Sequence, residues 1–117
     1  MSVADLDKKL NDLILSGKVL EAFEEFYAEN VEMRENNEPP RVGKAVNREY
    51  EKQFVSAVEE FHSVEVLASA AHGDTSFSEW AYDFTLKGVP RLAYRQVAVR
   101  RWKNGKIVDE RFYYNRG

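Results

Sequence analysis

The sequence predicts an α+β domain: two helices, a short strand, a third helix, then four antiparallel strands (α-α-β-α-β-β-β-β). Three observations carry this. Apolar residues recur at helical spacing through most of the stretch before His62, the signature of amphipathic helices. Beyond His62 the period switches to two, in runs rich in aromatic and β-branched residues separated by Gly-containing turns, which reads as strands. The chain has 117 residues, 44% apolar and 32% charged, so it is expected to form a single domain over residues 1–117 with one core. Helices first and strands last is an α+β order, distinct from the alternation that builds parallel α/β sheets.

Leu6, Leu10, Leu13 and Ile14 give the first helix its apolar stripe, with Ser2 as cap and Asp5 three residues on as a weak capping box. Ser16-Gly17 ends it. Val19, Leu20, Phe23, Phe26 and Tyr27 make a second stripe, with Glu21, Glu24 and Glu25 facing water. Val31 and Met33 alternate with Glu32 and Arg34 as a short strand, and Pro39-Pro40 forces a loop. After Gly43 the stripe Val46, Tyr50, Phe54, Ala57, Val58, Phe61 predicts the longest helix, with His62 at its end. The four strands then follow, with turns at Gly73-Asp74, at Lys87 to Pro90 and about Lys103-Asn104-Gly105.

Composition excludes several functions. Seventeen Lys and Arg against twenty Asp and Glu leave a net charge of −3, opposite to the basic excess that drives nucleic-acid binding. Without cysteine there is no disulfide, thiolate nucleophile or zinc-thiolate site. The two histidines, His62 and His72, are far apart and without clustered carboxylates, so no metal is expected. No phosphate loop, dinucleotide fingerprint or Ser-His-Asp arrangement is visible, and no cofactor is expected. The N-terminal residues have early acids and no unbroken apolar run, so neither a leader nor membrane association is expected and a cytoplasmic location is the default.

The segment Phe26-Tyr27-Ala28-Glu29-Asn30-Val31-Glu32-Met33-Arg34-Glu35, the Pro39-Pro40-Arg41-Val42-Gly43 opening of the long helix and the tail from Arg101 to Tyr114 resemble the SnoaL-like, ketosteroid-isomerase-related branch of the nuclear transport factor 2-like superfamily. The resemblance covers nearly the whole chain. It implies a cystatin-like cone, a curved antiparallel sheet wrapped on the long helix with an apolar pocket at its open end. Ketosteroid isomerases carry a carboxylate base at the end of the first short strand, which falls on Glu35 here. Their two oxyanion donors, a Tyr and a protonated Asp, fall near Asn11 and Ala98. Both donors are missing, which argues against ketosteroid isomerisation as such.

The last hairpin decides which side chains face the pocket. A two-residue Asn-Gly turn would pair Trp102 with Ile107; a three-residue loop would pair Trp102 with Lys106. The resemblance favours the three-residue loop. Tyr94, Gln96, Ala98, Arg100 and Trp102 then share a face with Val108, Glu110, Phe112 and Tyr114, and with Trp80, Tyr82 and Phe84. The candidate ligand-binding set is Trp80, Tyr82, Tyr94, Gln96, Arg100, Glu110, Phe112 and Tyr114. Arg100 in an apolar cone needs a partner, and Glu110 on the neighbouring strand supplies it. Glu35 is either a base whose pKa burial raises or a carboxylate salt-bridged to Arg34 or Arg41. Val97, Val99, Ile107 and Tyr113 are expected on the opposite face, which would pair with a second copy of the chain.

Two functions fit: a cofactor-free isomerase, lyase or cyclase acting on a small apolar molecule through Glu35, or a non-catalytic module that binds a hydrophobic ligand or forms dimeric contacts.

Overall fold

The computed structural model describes residues 1–115. Its elements are α1 (Val3–Leu15), α2 (Val19–Phe26), β1 (Tyr27–Glu35), β2 (Arg41–Val42), α3 (Lys44–Ala57), β3 (Val58–His72), β4 (Thr75–Leu86), β5 (Leu92–Lys103) and β6 (Lys106–Tyr114). The six strands form one sheet in the order β2-β1-β6-β5-β4-β3, against which the three helices pack. The α+β cone expected from the sequence is the architecture observed.

Local chemistry accounts for the boundaries. Ser2 Oγ accepts the Asp5 amide at 3.1 Å while the Ser2 amide donates to Asp5 Oδ2 at 3.4 Å, closing a capping box at the start of α1. Gly17, at φ 81°, stops α1. The buried side chain of Asn47 donates to the carbonyls of Arg41 (2.9 Å) and Gly43 (2.8 Å) and so fixes the corner between β2 and α3.

The structure departs from the sequence reading in four places. The sheet is mixed: β1 runs parallel to β6, pairing Met33 with Glu110 and Glu35 with Phe112, while the other neighbours are antiparallel. The two-residue strand β2 adds an edge through Met33 and Arg41. Helix α3 stops at Ala57, whose carbonyl accepts the Lys87 amide at 2.9 Å. Val58 and Phe61 therefore belong to β3, paired with Leu86 and Phe84, and His62 lies inside that strand with its ring on Thr85. Helical spacing and strand alternation coincide over these few residues, and pairing with the long β4 decides in favour of the strand.

The fourth departure is the hairpin register. Asn104 (φ 52°) and Gly105 (φ 78°) both lie in the left-handed region and make a two-residue turn, so Trp102 pairs with Ile107. The register then shifts between Arg101 and Trp102, leaving Val108 without a partner, and Arg100 still faces Glu110. The bulge thus puts Ile107, not Val108, on the buried face; Ile107 is fully buried in the core rather than exposed on the open face.

The core sits at the narrow end of the cone: Leu10, Phe23, Phe26, Val31, Met33, Trp102 and Ile107 close between α1, α2 and the β1-β6-β5 part of the sheet. Each such side chain contributes about 1.5–3 kcal/mol of burial. At the wide end β3 carries three register shifts and bends the sheet away from α3. The space between is the cavity.

Candidate functional site

The rim of the cavity is built where β1 ends. The Asn36 amide donates to the Phe112 carbonyl at 2.7 Å, and Asn36 Oδ1 accepts the Tyr114 amide at 3.0 Å. These bonds hold Glu35, the last residue of β1, beside the end of β6. Glu35 is buried, and its Oε2 is ion-paired with Arg41 Nη1 at 2.5 Å. Its Oε1 is approached by the Tyr50 hydroxyl at 3.4 Å, and the Arg41 guanidinium lies over the Tyr50 ring, 3.7 Å from its centre. Of the two sequence readings of Glu35, the geometry includes the salt bridge to Arg41.

Two chambers open beneath this rim. The outer one, about 160 Å³, is bounded by Glu35, Tyr50, Tyr94 and Tyr114. The deeper one, about 310 Å³, has apolar walls that include Ile14, Val19, Val55, Phe61 and Val64, and a floor that includes Tyr27, Arg100 and Glu110. Glu51, Phe54, Tyr82, Gln96 and Phe112 border both. Of the residues singled out from the sequence, Glu35, Tyr82, Tyr94, Gln96, Phe112 and Tyr114 meet in the outer chamber, and Arg100 and Glu110 lie at the base of the inner one. Trp80 does not line either chamber. It is buried, with its indole N–H on Ser78 Oγ at 2.8 Å and its ring stacked 5.6 Å from that of Tyr82.

Tyr82 also stacks on Tyr94 at 5.6 Å, and Tyr94 lies against Tyr114 at 5.5 Å. Tyr82 and Tyr94 are direct cross-strand partners on β4 and β5 and stack face to face, while Tyr114, the partner of Gln96 on β6, meets Tyr94 diagonally with its ring tilted by 38°. Burial raises the Tyr94 phenol to about 12, and it raises Tyr82 further. Both therefore stay protonated and able to donate. Among the described residues, the Tyr82 hydroxyl and the Gln96 amide have no hydrogen-bond partner, although both border the cavity.

The floor is a closed network. Arg100 Nε donates to Glu110 Oε2, and Arg100 Nη1 donates to Asp7 Oδ1 and Asn11 Oδ1, each at 2.7 Å. The Tyr27 hydroxyl donates to Glu110 Oε1 at 2.6 Å, and Ser76 Oγ to Asp7 Oδ1 at 2.7 Å. The expected Arg100–Glu110 pair is present, and Asp7 completes it. Desolvation raises the Glu110 pKa even though Arg100 opposes it, and burial with the Glu110 charge holds the Tyr27 phenol well above its usual value.

Sequence reasoning missed three groups. Asp7 and Asn11 lie one turn apart on α1, and Asp7 shares its face with Val3, Leu10 and Ile14. A polar pair on an apolar stripe was the available signal. Glu51 follows Tyr50 and precedes Phe54 by three, which puts it on the inner face of α3. Burial, together with the Glu110 and Glu35 charges, lifts the Glu51 carboxyl from 4.5 to about 7 against the pull of Arg41. It has no hydrogen bond or ion pair among the described residues. No group of three His, Asp or Glu side chains placed to hold a metal occurs among the described residues, and no helix is long and apolar enough to cross a membrane.

A family model for the SnoaL-like domain matches residues 1–114. The chain belongs to the SnoaL-like family. No curated protein matches this SnoaL-like chain, but solved structures do. A Mesorhizobium loti protein proposed to be a SnoaL-like polyketide cyclase (and also described as a carbohydrate phosphatase) is 28% identical, with a TM-score of 0.87 over 97% of this chain and 100% of its own. A Xanthomonas campestris protein of unknown function with a cystatin-like fold is 19% identical, with a TM-score of 0.85 over 97% of this chain and 91% of its own. A Catenulispora acidiphila protein with a ketosteroid-isomerase-like fold, crystallised with trimethylamine, is 18% identical, with a TM-score of 0.74 over 89% of this chain and 81% of its own. At these identities the last two share the SnoaL-like chain's fold alone.

Proposed function

We propose that this protein binds a small, largely apolar, oxygen-bearing molecule in its two-chamber cavity and moves a proton on it, Glu35 acting as the base. Isomerisation, elimination and aldol-type cyclisation next to a carbonyl share this proton transfer. The observation that carries the reading is the pairing of two polar groups without protein partners, the Tyr82 hydroxyl and the Gln96 amide, with the Glu35 carboxylate in one aromatic chamber. These two groups open into the cavity instead of being sealed in protein, and polar groups placed so in an apolar pocket are natural partners for a ligand oxygen. The trimethylamine held by the Catenulispora acidiphila protein supports small-ligand binding by this fold.

The inner chamber sets the size. A cavity of roughly 150 Å³ takes a benzene ring, so about 310 Å³ admits two fused rings. The bicyclic ketone 2-tetralone is therefore a fitting probe. In heavy water, the protein should accelerate exchange of its α-protons over buffer, and Glu35→Gln should lower that acceleration by about a hundredfold or more.

A second reading is favoured by one observation: Arg41 and Tyr50 occupy both oxygens of Glu35. On that reading the cavity sequesters a ligand without chemistry, and 2-tetralone would bind while exchanging no faster than in buffer. We also propose that the open sheet face pairs with a second copy of the chain. Phe77 and Tyr113, paired with Val99 and Val97 on β5, are exposed there.

A further inference from the structure

We propose that Glu51 is the proton donor to the substrate oxygen, a second catalytic residue working opposite Glu35; this rests on the reading that the cavity holds an oxygen-bearing substrate. Glu51 borders both chambers, at the junction it shares with Tyr82 and Gln96. It is the one carboxyl of the cavity with no protein partner among the described residues. Glu35 has Arg41, and Glu110 has Arg100 and Tyr27.

A lone carboxyl at this junction is either a bare anion or a protonated acid, and its surroundings favour the acid. Glu110 on β6 and Glu35 on β1 face it with negative charge. Arg41 on β2 opposes them but is engaged by Glu35, and Arg100 on β5 is engaged by Glu110 and Asp7. Tyr27 on β1, Tyr82 on β4 and Tyr94 on β5 are neutral phenols. Nearby, α1, α2 and β3 present the apolar Ile14, Val19, Phe61 and Val64. A protonated carboxyl donates a hydrogen bond, which an anion does not.

The step balances without a further reactant. Glu35 takes a proton from the carbon next to a carbonyl. The C–H electron pair becomes the carbon–carbon double bond of an enol, and the carbonyl π pair moves onto oxygen. That oxygen takes the Glu51 proton. The reverse step, at the same or another carbon, returns the Glu35 proton to carbon and the enol proton to Glu51. The two oxyanion donors expected from the family's isomerases are absent at Asn11 and Ala98, and Glu51 supplies an acid from a third place, α3.

The test is 2-tetralone binding by calorimetry between pH 6 and pH 8.5, using wild type and Glu51→Gln. A ketone only accepts hydrogen bonds, so wild-type affinity should fall by roughly tenfold or more as Glu51 ionises. Glu51→Gln keeps an N–H donor but does not titrate, and its affinity should stay flat. The carbonyl stretch of the bound ketone should move to higher frequency with pH in wild type alone. Binding that is flat with pH in wild type, or a pH dependence that survives in Glu51→Gln, overturns the role of Glu51 and leaves the pocket reading standing. A ketone that binds at no pH overturns the pocket reading and the donor together.

Discussion

Arg100 Nη1 stands 2.7 Å from Asp7 Oδ1, a bond that ties α1 to β5 across 93 positions of sequence. With Glu110 on the other side, Arg100 is held between two carboxylates, and both ion pairs are almost fully buried. Breaking one buried partner leaves charge uncompensated, so Asp7→Ala should cost about 3–5 kcal/mol. The measurement is the urea unfolding midpoint at constant slope. A midpoint within error of wild type would show that Glu110 and Asn11 alone satisfy Arg100.

That network marks the line between what the sequence shows and what it hides. Pairing Arg100 with Glu110 follows from strand alternation, a local rule that survives because the Val108 bulge restores the register above it. Asp7 and Glu51 lie on helices whose rotation about their axes is set only when they dock on the sheet. Nothing local says that Asp7 meets Arg100 or that Glu51 borders the same chambers as Tyr82. The hairpin register departs from the family expectation because Asn-Gly itself specifies a two-residue turn, and that local chemistry outweighs the family likeness. The resemblance locates Glu35 at the end of β1 but does not single out Arg41 as its partner, because that ion pair depends on the β2 strand and the Asn47 corner.

Glu51 should also leave its mark on stability. Its pKa is 4.5 when unfolded and about 7 when folded, so between those values the folded chain binds the extra proton. Its contribution to stability is complete below pH 4.5 and is lost as pH rises through 7. The loss amounts to about 2–3 kcal/mol, since each tenfold gain in proton affinity is worth about 1.4 kcal/mol and the carboxyl keeps some solvent in the cavity. Glu51→Gln escapes the loss. Its stability relative to wild type should rise from pH 4.5 to pH 8, as read from thermal midpoints at matched ionic strength. Taking the difference cancels the opposite trend of Glu24 and Asp83, whose pKa values hydrogen bonds from Arg48 and Arg91 lower. A variant difference that is constant over this range would contradict the raised value.

Tyr82→Phe separates binding from folding. The Tyr82 hydroxyl makes no bond to the described protein, while its ring stacks on Trp80 and Tyr94. Removing the oxygen keeps the stack and exposes no orphaned group, so the unfolding midpoint should move by less than about 0.5 kcal/mol. If that hydroxyl grips the ligand oxygen, 2-tetralone affinity should fall by about threefold to tenfold, the worth of a neutral hydrogen bond. A large loss of stability with unchanged affinity would make Tyr82 a wall residue only.

The open face of the sheet offers the last prediction. Phe77, opposite Val99 on β5, lies on the side away from the helices, and Val97, Ala68 and Ala70 join it around a shallow groove of about 190 Å³. Phe77 and Tyr113 are each about two-fifths exposed, with 39% and 43% of their surface open, so this face keeps large apolar area in water unless a partner covers it. A twofold contact would bury this patch twice, once from each copy, every contact between two residues being repeated with the copies exchanged. Phe77→Glu would then bury an unpaired carboxylate from each copy in an apolar contact and cost several kcal/mol. Light scattering should give the wild type twice the 13.6 kDa of one chain and Phe77→Glu a single chain, with matching circular dichroism. Wild-type protein that scatters as one chain at tens of micromolar, a range where a stable interface of about 1,600 Å² is ordinarily formed, would end the dimer proposal while leaving the cavity and its carboxylates untouched.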